Sequence, residues 1–531
     1  MNFGFVIDNR RCIGCHACTI ACKAEHDTPL GVNRTWVKYV EKGVYPYTRR
    51  LFTVHRCNHC EEPPCVEICP VTSLHTRPDG IVDFDRERCI GCKACMQACP
   101  YDALHIDPDT RTSTKCNYCA HRVTRGVEPA CVVVCPAEAI ISGDLDDTNS
   151  RISRLVGRHQ VSVRKPEKHT KPNLFYIAAE SAAIRPELAP AGATYSQIQQ
   201  IGGVGHFARQ GGHGASAEGT SKAVPFSIEN FLRAEGGNNP ASGHARRTHD
   251  APQRGVLWGW EVSGYLWTKS IAAGLVFLPM LMHLAGWQPL RPRLGVLVAL
   301  TALVFLGLTG ALLVKDLDKP MRFHYVLLRP QWKSWLVRGA YIITAFGGLT
   351  TLWLLLVALG VDPGGILPNA LALLLVPLGV MTAVYTAFLF GQAKGRDLWQ
   401  NPLLPVRMLV ISTMTGSAAG LLLALLGDQG VPAPMRLALI VAVIAHLLLT
   451  GAELLTPHVT VDTATALAMI TRGPLSLSFW SALALGNVLP LVLLLASVNG
   501  LVVLPATVLV LLFAAVSEHV WVRAPQLIPL S

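Results

Sequence analysis

Arg88–Pro100 reads RCIGCKACMQACP. Cys89, Cys92 and Cys95 stand three residues apart, and Cys99 follows four residues later, just before Pro100. A cubic [4Fe–4S] cluster needs four thiolates around a compact core. A CxxCxxC loop wraps three irons, and the fourth ligand comes from another group, beside a proline. The flanking sequence repeats the device. Cys12, Cys15, Cys18 and Cys22 form one group, and Cys57, Cys60, Cys65 and Cys69-Pro70 a second. Cys116, Cys119, Cys131 and Cys135-Pro136 form a fourth. Four groups imply four [4Fe–4S] clusters. Zinc ribbons pair two CxxC units at longer spacing. Eight disulfides would need an oxidising compartment and would leave the repeated CxxC spacing unexplained.

Composition divides the 531-residue chain. All 16 Cys lie between Cys12 and Cys135, and the rest of the chain has none. The chain is 51% hydrophobic and 15% charged, with a mean hydropathy of +0.36. These values exclude a disordered or nucleic-acid-coating protein, and no nucleic-acid partner is expected. The net charge of +11 suits membrane topology, in which Lys and Arg gather in loops on one side. Met1–Arg11 has no apolar core, so no secretory signal is expected there.

The expected organisation has four parts. Residues 1–150 are the Cys-rich domain and 151–195 an ordered extension. Residues 196–256 are a Gly/Ser/His-rich linker or wrapping arm. Residues 257–531 hold eight apolar runs: 258–287, 294–314, 339–361, 365–392, 408–427, 434–455, 474–497 and 501–522. Each is long enough to cross a hydrocarbon core, which takes roughly 20 helical residues. Asn499-Gly500 supplies the turn between the last two. The expected fold is an α+β double bacterial-ferredoxin domain followed by an all-α eight-helix transmembrane bundle.

The strings RCIGCHACTIAC, RCNHCEEPPCVEICP, RCIGCKACMQACP and KCNYCAHRVTRGVEPACVVVCP resemble the four-cluster electron-transfer subunits of the dimethyl-sulfoxide-reductase and polysulfide-reductase families. The resemblance implies that groups one and four share two clusters, and groups two and three the other two. The ligand sets would be Cys12, Cys15, Cys18 and Cys135; Cys116, Cys119, Cys131 and Cys22; Cys57, Cys60, Cys65 and Cys99; and Cys89, Cys92, Cys95 and Cys69. No Cys of the sixteen is missing, so no three-iron site is expected. Cys22 departs from the pattern, since Lys23 follows it in place of Pro.

The second half resembles the polysulfide-reductase membrane-anchor (NrfD-like) family. The resemblance rests on Asp316–Phe323, Arg329-Pro330, Ser334-Trp335, Gly339-Ala340-Tyr341, Tyr385–Leu389 and Asn401–Pro405. That family binds menaquinone or ubiquinone and carries no haem, which sets the cofactor expectation here. Two subunits that are normally separate would then be fused in one chain.

Ionisable groups inside spans are costly and mark function. Glu261, Tyr265 and Lys269 lie early in the first run, Asp316 ends the second, and Tyr385 lies late in the fourth. His446 and Glu453 follow in the sixth, and Glu518 and His519 end the eighth. With odd spans leading away from the cluster side and even spans returning, all of these fall in the cluster-facing half; His283 is the exception. Glu261, Tyr265, Lys269, Asp316 and Tyr385 are the candidate quinone contacts. Quinone reduction takes two electrons and two protons and needs a donor or acceptor at each carbonyl oxygen.

Eleven Lys and Arg, Arg407 among them, flank the spans on the N-terminal side, against Arg291, Arg293 and Arg436 opposite. This places the chain in the cell inner membrane as a multi-pass protein with its iron–sulfur domain in the cytoplasm. The alternative is the periplasmic side, reached by export with a partner.

The expected function is the electron-transfer and membrane-anchor subunit of a respiratory oxidoreductase. Electrons would pass between membrane quinone and a separate catalytic subunit with a molybdenum or tungsten bis-pterin cofactor. No substrate-transforming site is visible, so no catalytic residue is assigned. Two alternatives belong to other classes: a quinol-oxidising, charge-translocating module partnered with cytochromes, and a stand-alone ferredoxin:quinone oxidoreductase.

Overall fold

The computed structural model describes residues 1–189, 244–251, 254–427 and 430–531. Most of the expected linker at 196–256 lies outside the described residues. The chain divides into two compact units. The first is Met1–Leu257 with Gln392–Arg396 and Leu527–Ser531; the second is Trp258–Gly391 with Asp397–Gln526.

The first unit is α+β and ferredoxin-like. Strand β1 (Phe3–Asp8) is central in a four-stranded sheet. It pairs antiparallel with β8 (Ile140–Asp144) and parallel with β10 (Leu174–Ile177), and β9 (Val161–Ser162) closes the edge. Apolar side chains fill both faces of β1: Phe5 and Ile7 pack with Tyr118, Ile140, Leu174 and Tyr176, while Val6 packs with Ile141 and Ile152. Strands β2 (Thr35–Val44) and β3 (Tyr47–Arg56) form a long hairpin. Arg246–His249 add strand β11 to its edge, so the end of the stretch read as linker is a paired strand. Two short hairpins complete the unit, β4 (Leu74–Thr76) with β5 (Val82–Phe84) and β6 (Leu104–Ile106) with β7 (Ser113–Lys115).

The second unit is helical, with eight helices long and apolar enough to cross a membrane. They are Trp260–Leu284, Pro292–Lys315, Trp335–Ala358, Ile366–Gln392, Leu404–Leu426, Ala433–Leu455, Ser476–Ala496 and Gly500–Leu527. The first is the core of the bundle: 89% of its apolar window is buried, against 22% for the third. Gly274 in the first span meets Gly416 in the fifth, where a Cβ on Gly274 would lie 2.0 Å from the Ser412 carbonyl oxygen. Small residues let the two backbones touch, which drives helix association in lipid. The seventh span carries a π-helical turn at Ala484–Val488. Arg407 is a point of difference from the sequence reading. It is not a loop cation but sits in the first turn of the fifth span, paired with Glu453 at 2.8 Å.

Candidate functional site

The third residue of each Cys-led loop has a left-handed backbone: Gly14 (φ 72°), His59 (φ 44°), Gly91 (φ 72°) and Tyr118 (φ 61°). A left-handed residue turns successive N–H groups inward, the concave arrangement that accepts anionic sulfur. Gly14 is required by space as well, since a Cβ there would lie 2.5 Å from the Phe52 ring. Short helices follow the loops and carry the next cysteines. Helix α1 (Ala17–Glu25) holds Cys18 and Cys22, and α2 (Pro64–Ile68) holds Cys65 and is capped by Cys69. Helix α3 (Ala94–Ala98) holds Cys95 and is capped by Cys99. Cys119 starts α4 (Ala120–Val123), and α5 (Ala130–Val133) holds Cys131.

All sixteen cysteines are free, and most are buried. Their electrostatic neighbours fall into four sets. Cys12 and Cys18 face Cys135, with Cys15 beside Cys12. Cys22 faces Cys116, Cys119 and Cys131. Cys65 faces Cys57, Cys60 and Cys99. Cys92 faces Cys69, Cys89 and Cys95. Successive sets are also electrostatic neighbours: Cys18 of Cys131, Cys116 of Cys57, and Cys95 of Cys99. They therefore form a chain of four.

Burial pushes the Cys18 and Cys116 thiols up to about 12 and Cys99 up to about 11. Thiols in such surroundings become thiolates when a bound metal supplies the compensating charge. The donor set suits a cluster and not a lone ion. A zinc ion with bonds of about 2.3 Å would draw its sulfurs within about 4 Å of one another. Among the described residues, no three His, Cys, Asp or Glu side chains gather around one ion. Two buried arginines add donors with no hydrogen-bond partner among the described residues, Nε and Nη2 of Arg56 and Nε and Nη1 of Arg34. Cluster sulfides are acceptors of the kind these donors lack.

The second unit gathers a separate polar group. Lys269 is 1% exposed; it does not snorkel. Its ammonium donates to the Ala383 carbonyl at 3.0 Å and to the Thr386 hydroxyl at 2.5 Å. It also lies 4.7 Å from the centre of the Tyr385 ring. Tyr265, buried one turn before Lys269, has Tyr385, Asp316 and Glu518 as electrostatic neighbours. Lys269 also faces Glu518. The bundle thus brings Tyr265, Lys269, Asp316 and Tyr385 together. Glu261 pairs with Lys315 at 3.7 Å, and Lys315 lies over the Trp260 ring.

A family model described as polysulphide reductase, NrfD, matches residues 250–529, more than half of the chain. The chain belongs to the NrfD polysulphide reductase family. Models of 4Fe-4S dicluster domains match residues 11–74 and 48–145 of this NrfD-family chain. A tetrathionate reductase subunit of Salmonella typhimurium is 43% identical over 189 residues, which are 35% of this chain and 75% of that protein. A polysulfide reductase polypeptide of Wolinella succinogenes is 40% identical over 187 residues, 34% of this chain and 97% of its own length. The thiosulfate reductase electron transfer subunit of Salmonella typhi is 43% identical over 157 residues, with 29% of this chain and 81% of that protein covered. The NrfD-family chain is thus an iron–sulfur electron-transfer protein and a multi-pass membrane anchor in one polypeptide.

Sequence reasoning missed several residues in the two units of this NrfD-family chain. Thr386 gives no signal of its own; only the fold brings it to Lys269. Asn487, on the π-helical turn, bonds His446 Nδ1 at 2.9 Å. A signal for Arg56 and Lys115 was present, since a basic residue precedes the first cysteine of every group. In the structure Arg11 and Arg88 are exposed, whereas Arg56 and Lys115 are fully buried.

Proposed function

We propose that this chain carries electrons between membrane quinone and a separate catalytic subunit holding a molybdenum or tungsten bis-pterin cofactor. Four [4Fe–4S] clusters would be held by Cys12, Cys15, Cys18 and Cys135; Cys22, Cys116, Cys119 and Cys131; Cys57, Cys60, Cys65 and Cys99; and Cys69, Cys89, Cys92 and Cys95. The observation that carries the reading is the unbroken succession of these four sets, each adjoining the next. A bound cluster accepts and releases one electron at a time. The protein holds the thiolates, keeps water away through burial, and turns backbone N–H groups toward sulfur.

Quinone would bind at Lys269, Tyr265 and Tyr385, with Thr386 positioning the ammonium. Lys269 Nζ is the donor for one carbonyl oxygen, and the Tyr265 hydroxyl serves the other. Asp316 and Glu518 beside Tyr265 hold or release the protons that the two-electron chemistry consumes. Glu261, paired with Lys315, is assigned to the rim. The proposal includes no haem.

The relatives named as tetrathionate, polysulfide and thiosulfate reductase components support a partner acting on sulfur compounds. The loop cations Lys319, Arg322, Arg329 and Lys333 support a cytoplasmic iron–sulfur domain. Protease protection in inverted vesicles tests that side, with the periplasmic side as the opposing outcome. Purification in mild detergent tests the main proposal. A large molybdenum- or tungsten-containing polypeptide should accompany this one, with close to sixteen iron atoms per chain. Isolation alone, with quinone-linked electron transfer intact, would favour the stand-alone oxidoreductase.

A further inference from the structure

Arg56 ends β3, directly before Cys57, yet its Nη1 donates at 3.0 Å to Cys131. Lys115 ends β7, directly before Cys116, yet its ammonium reaches Cys57 at 3.5 Å. Each cation stands in front of one cysteine group and bonds the other. Both side chains are fully buried. The Lys115 ammonium also donates to the Val82 and Cys116 carbonyls, so its three protons have three acceptors. The Arg56 guanidinium lies 4.5 Å from the centre of the Phe5 ring, and its Nε and Nη2 have no protein partner among the described residues. Its electrostatic neighbours are Cys131, Cys116 and Cys18.

Cys57 belongs to the third thiol set of the chain and Cys131 to the second. Cys57 and Cys116 are themselves neighbours. The crossed cations therefore stand at the junction of the two middle sets. We propose that Arg56 and Lys115 are positioning residues that raise the reduction potentials of the two middle clusters and ease electron passage between the halves of the domain. The inference rests on the ligand sets proposed above. One-electron reduction adds one negative charge to a cluster. A fixed cation a few ångströms away in a dry interior favours the reduced form, because burial removes the screening that water would supply. Hydrogen bonds to the ligand sulfurs act in the same direction. Without the cations, two anionic clusters would face each other in that interior, and each reduction would oppose the next.

The test is an anaerobic redox titration of the full detergent-solubilised chain with dithionite and mediator dyes, read by electron paramagnetic resonance. Wild-type protein with other than about sixteen iron atoms, or without four one-electron couples, overturns the ligand sets before any variant is made. With those in place, Arg56→Gln and Lys115→Gln should each lower the same two couples of the four. At fixed ambient potential the reduced-to-oxidised ratio should fall about tenfold, which is 59 mV for one electron. Arg56→Gln should move one of the two couples more, and Lys115→Gln the other. Arg56→Lys, which keeps the charge, should shift them less than Arg56→Gln. If no couple moves, or all four move alike, the inference fails. Should a variant lose iron, the wild type still decides. Protein grown with 15N-arginine should show hyperfine coupling of a side-chain nitrogen to a reduced cluster, and absence of that coupling overturns the proposal.

Discussion

Tyr385 fills the space that a side chain on Gly339 would need: a Cβ at position 339 would lie 2.1 Å from Cε2 of the Tyr385 ring. The third span thus fixes a ring on the fourth, and that ring flanks Lys269 of the first. Gly339→Ala should push the ring off its seat. A displacement near 1 Å at a binding group costs up to about a hundredfold in rate. We expect quinol-linked turnover to fall about tenfold or more, with dye-linked activity of the partner subunit unchanged. Equal loss of both activities would remove Tyr385 from the quinone pocket.

Lys269→Met keeps an unbranched apolar stem, ends one atom short of the ammonium, and removes the donors to Ala383 and Thr386. A quinone analogue should bind at least about tenfold more weakly, equivalent to about 1.4 kcal/mol. Equilibrium binding to the detergent-solubilised variant measures this, with the circular dichroism spectrum as the control for helix content. Unchanged affinity would place the quinone elsewhere.

Arg407 and Glu453 are 13% and 10% exposed and pair at 2.8 Å, with Arg407 also over the Trp521 ring. Removing one partner of a fully buried pair leaves a lone charge and costs about 3–5 kcal/mol, and this partly exposed pair should fall below that range. Arg407→Met and Glu453→Gln should each lower the thermal midpoint in detergent. The double variant should recover part of the loss, because residues in one pair are not additive.

Asp250 anchors the β11 edge. It accepts from Trp36 Nε1 at 2.7 Å and pairs with Arg247 at 3.0 Å. Burial alone would raise its carboxyl, but Lys38 and then Arg247 outweigh burial and hold it below the usual carboxylate range. Burial pushes Lys38 down to about 7. For a depressed carboxyl, the stabilisation is complete above the unfolded value of about 4 and is lost as pH falls through the folded value. The thermal stability of the wild type should therefore fall as pH drops below about 4. Asp250→Asn should be less stable at neutral pH and flatter across the acid range. Identical acid slopes would show that Asp250 does not carry this linkage.

The cysteine spacing and the apolar runs made both halves of the fold legible, because each obeys a local rule. Loop geometry follows from CxxCxxC, and a span follows from some twenty apolar residues. Contacts set by packing were less legible. Lys269 reads in sequence as a residue within snorkelling reach of the interface, and only the enclosed first span shows that it is buried. Arg407 reads as a loop cation until Glu453 meets it one span away. Glu261 has the type and depth expected of a quinone contact, and its ion pair with Lys315 is visible only in the fold. A basic residue precedes all four cysteine groups, and no local signal separates the two exposed ones from the buried Arg56 and Lys115. That difference arises only in the fold, where Arg56 reaches Cys131 and Lys115 reaches Cys57.

The central claim is that electrons move between this chain's iron–sulfur centres and membrane quinone. The most direct measurement mixes the dithionite-reduced, detergent-solubilised chain anaerobically with a short-chain quinone and follows the reduced-cluster resonance. The account predicts rapid loss of that signal with formation of quinol, and a slowed loss in Lys269→Met. A signal that persists in wild type with excess quinone would contradict it.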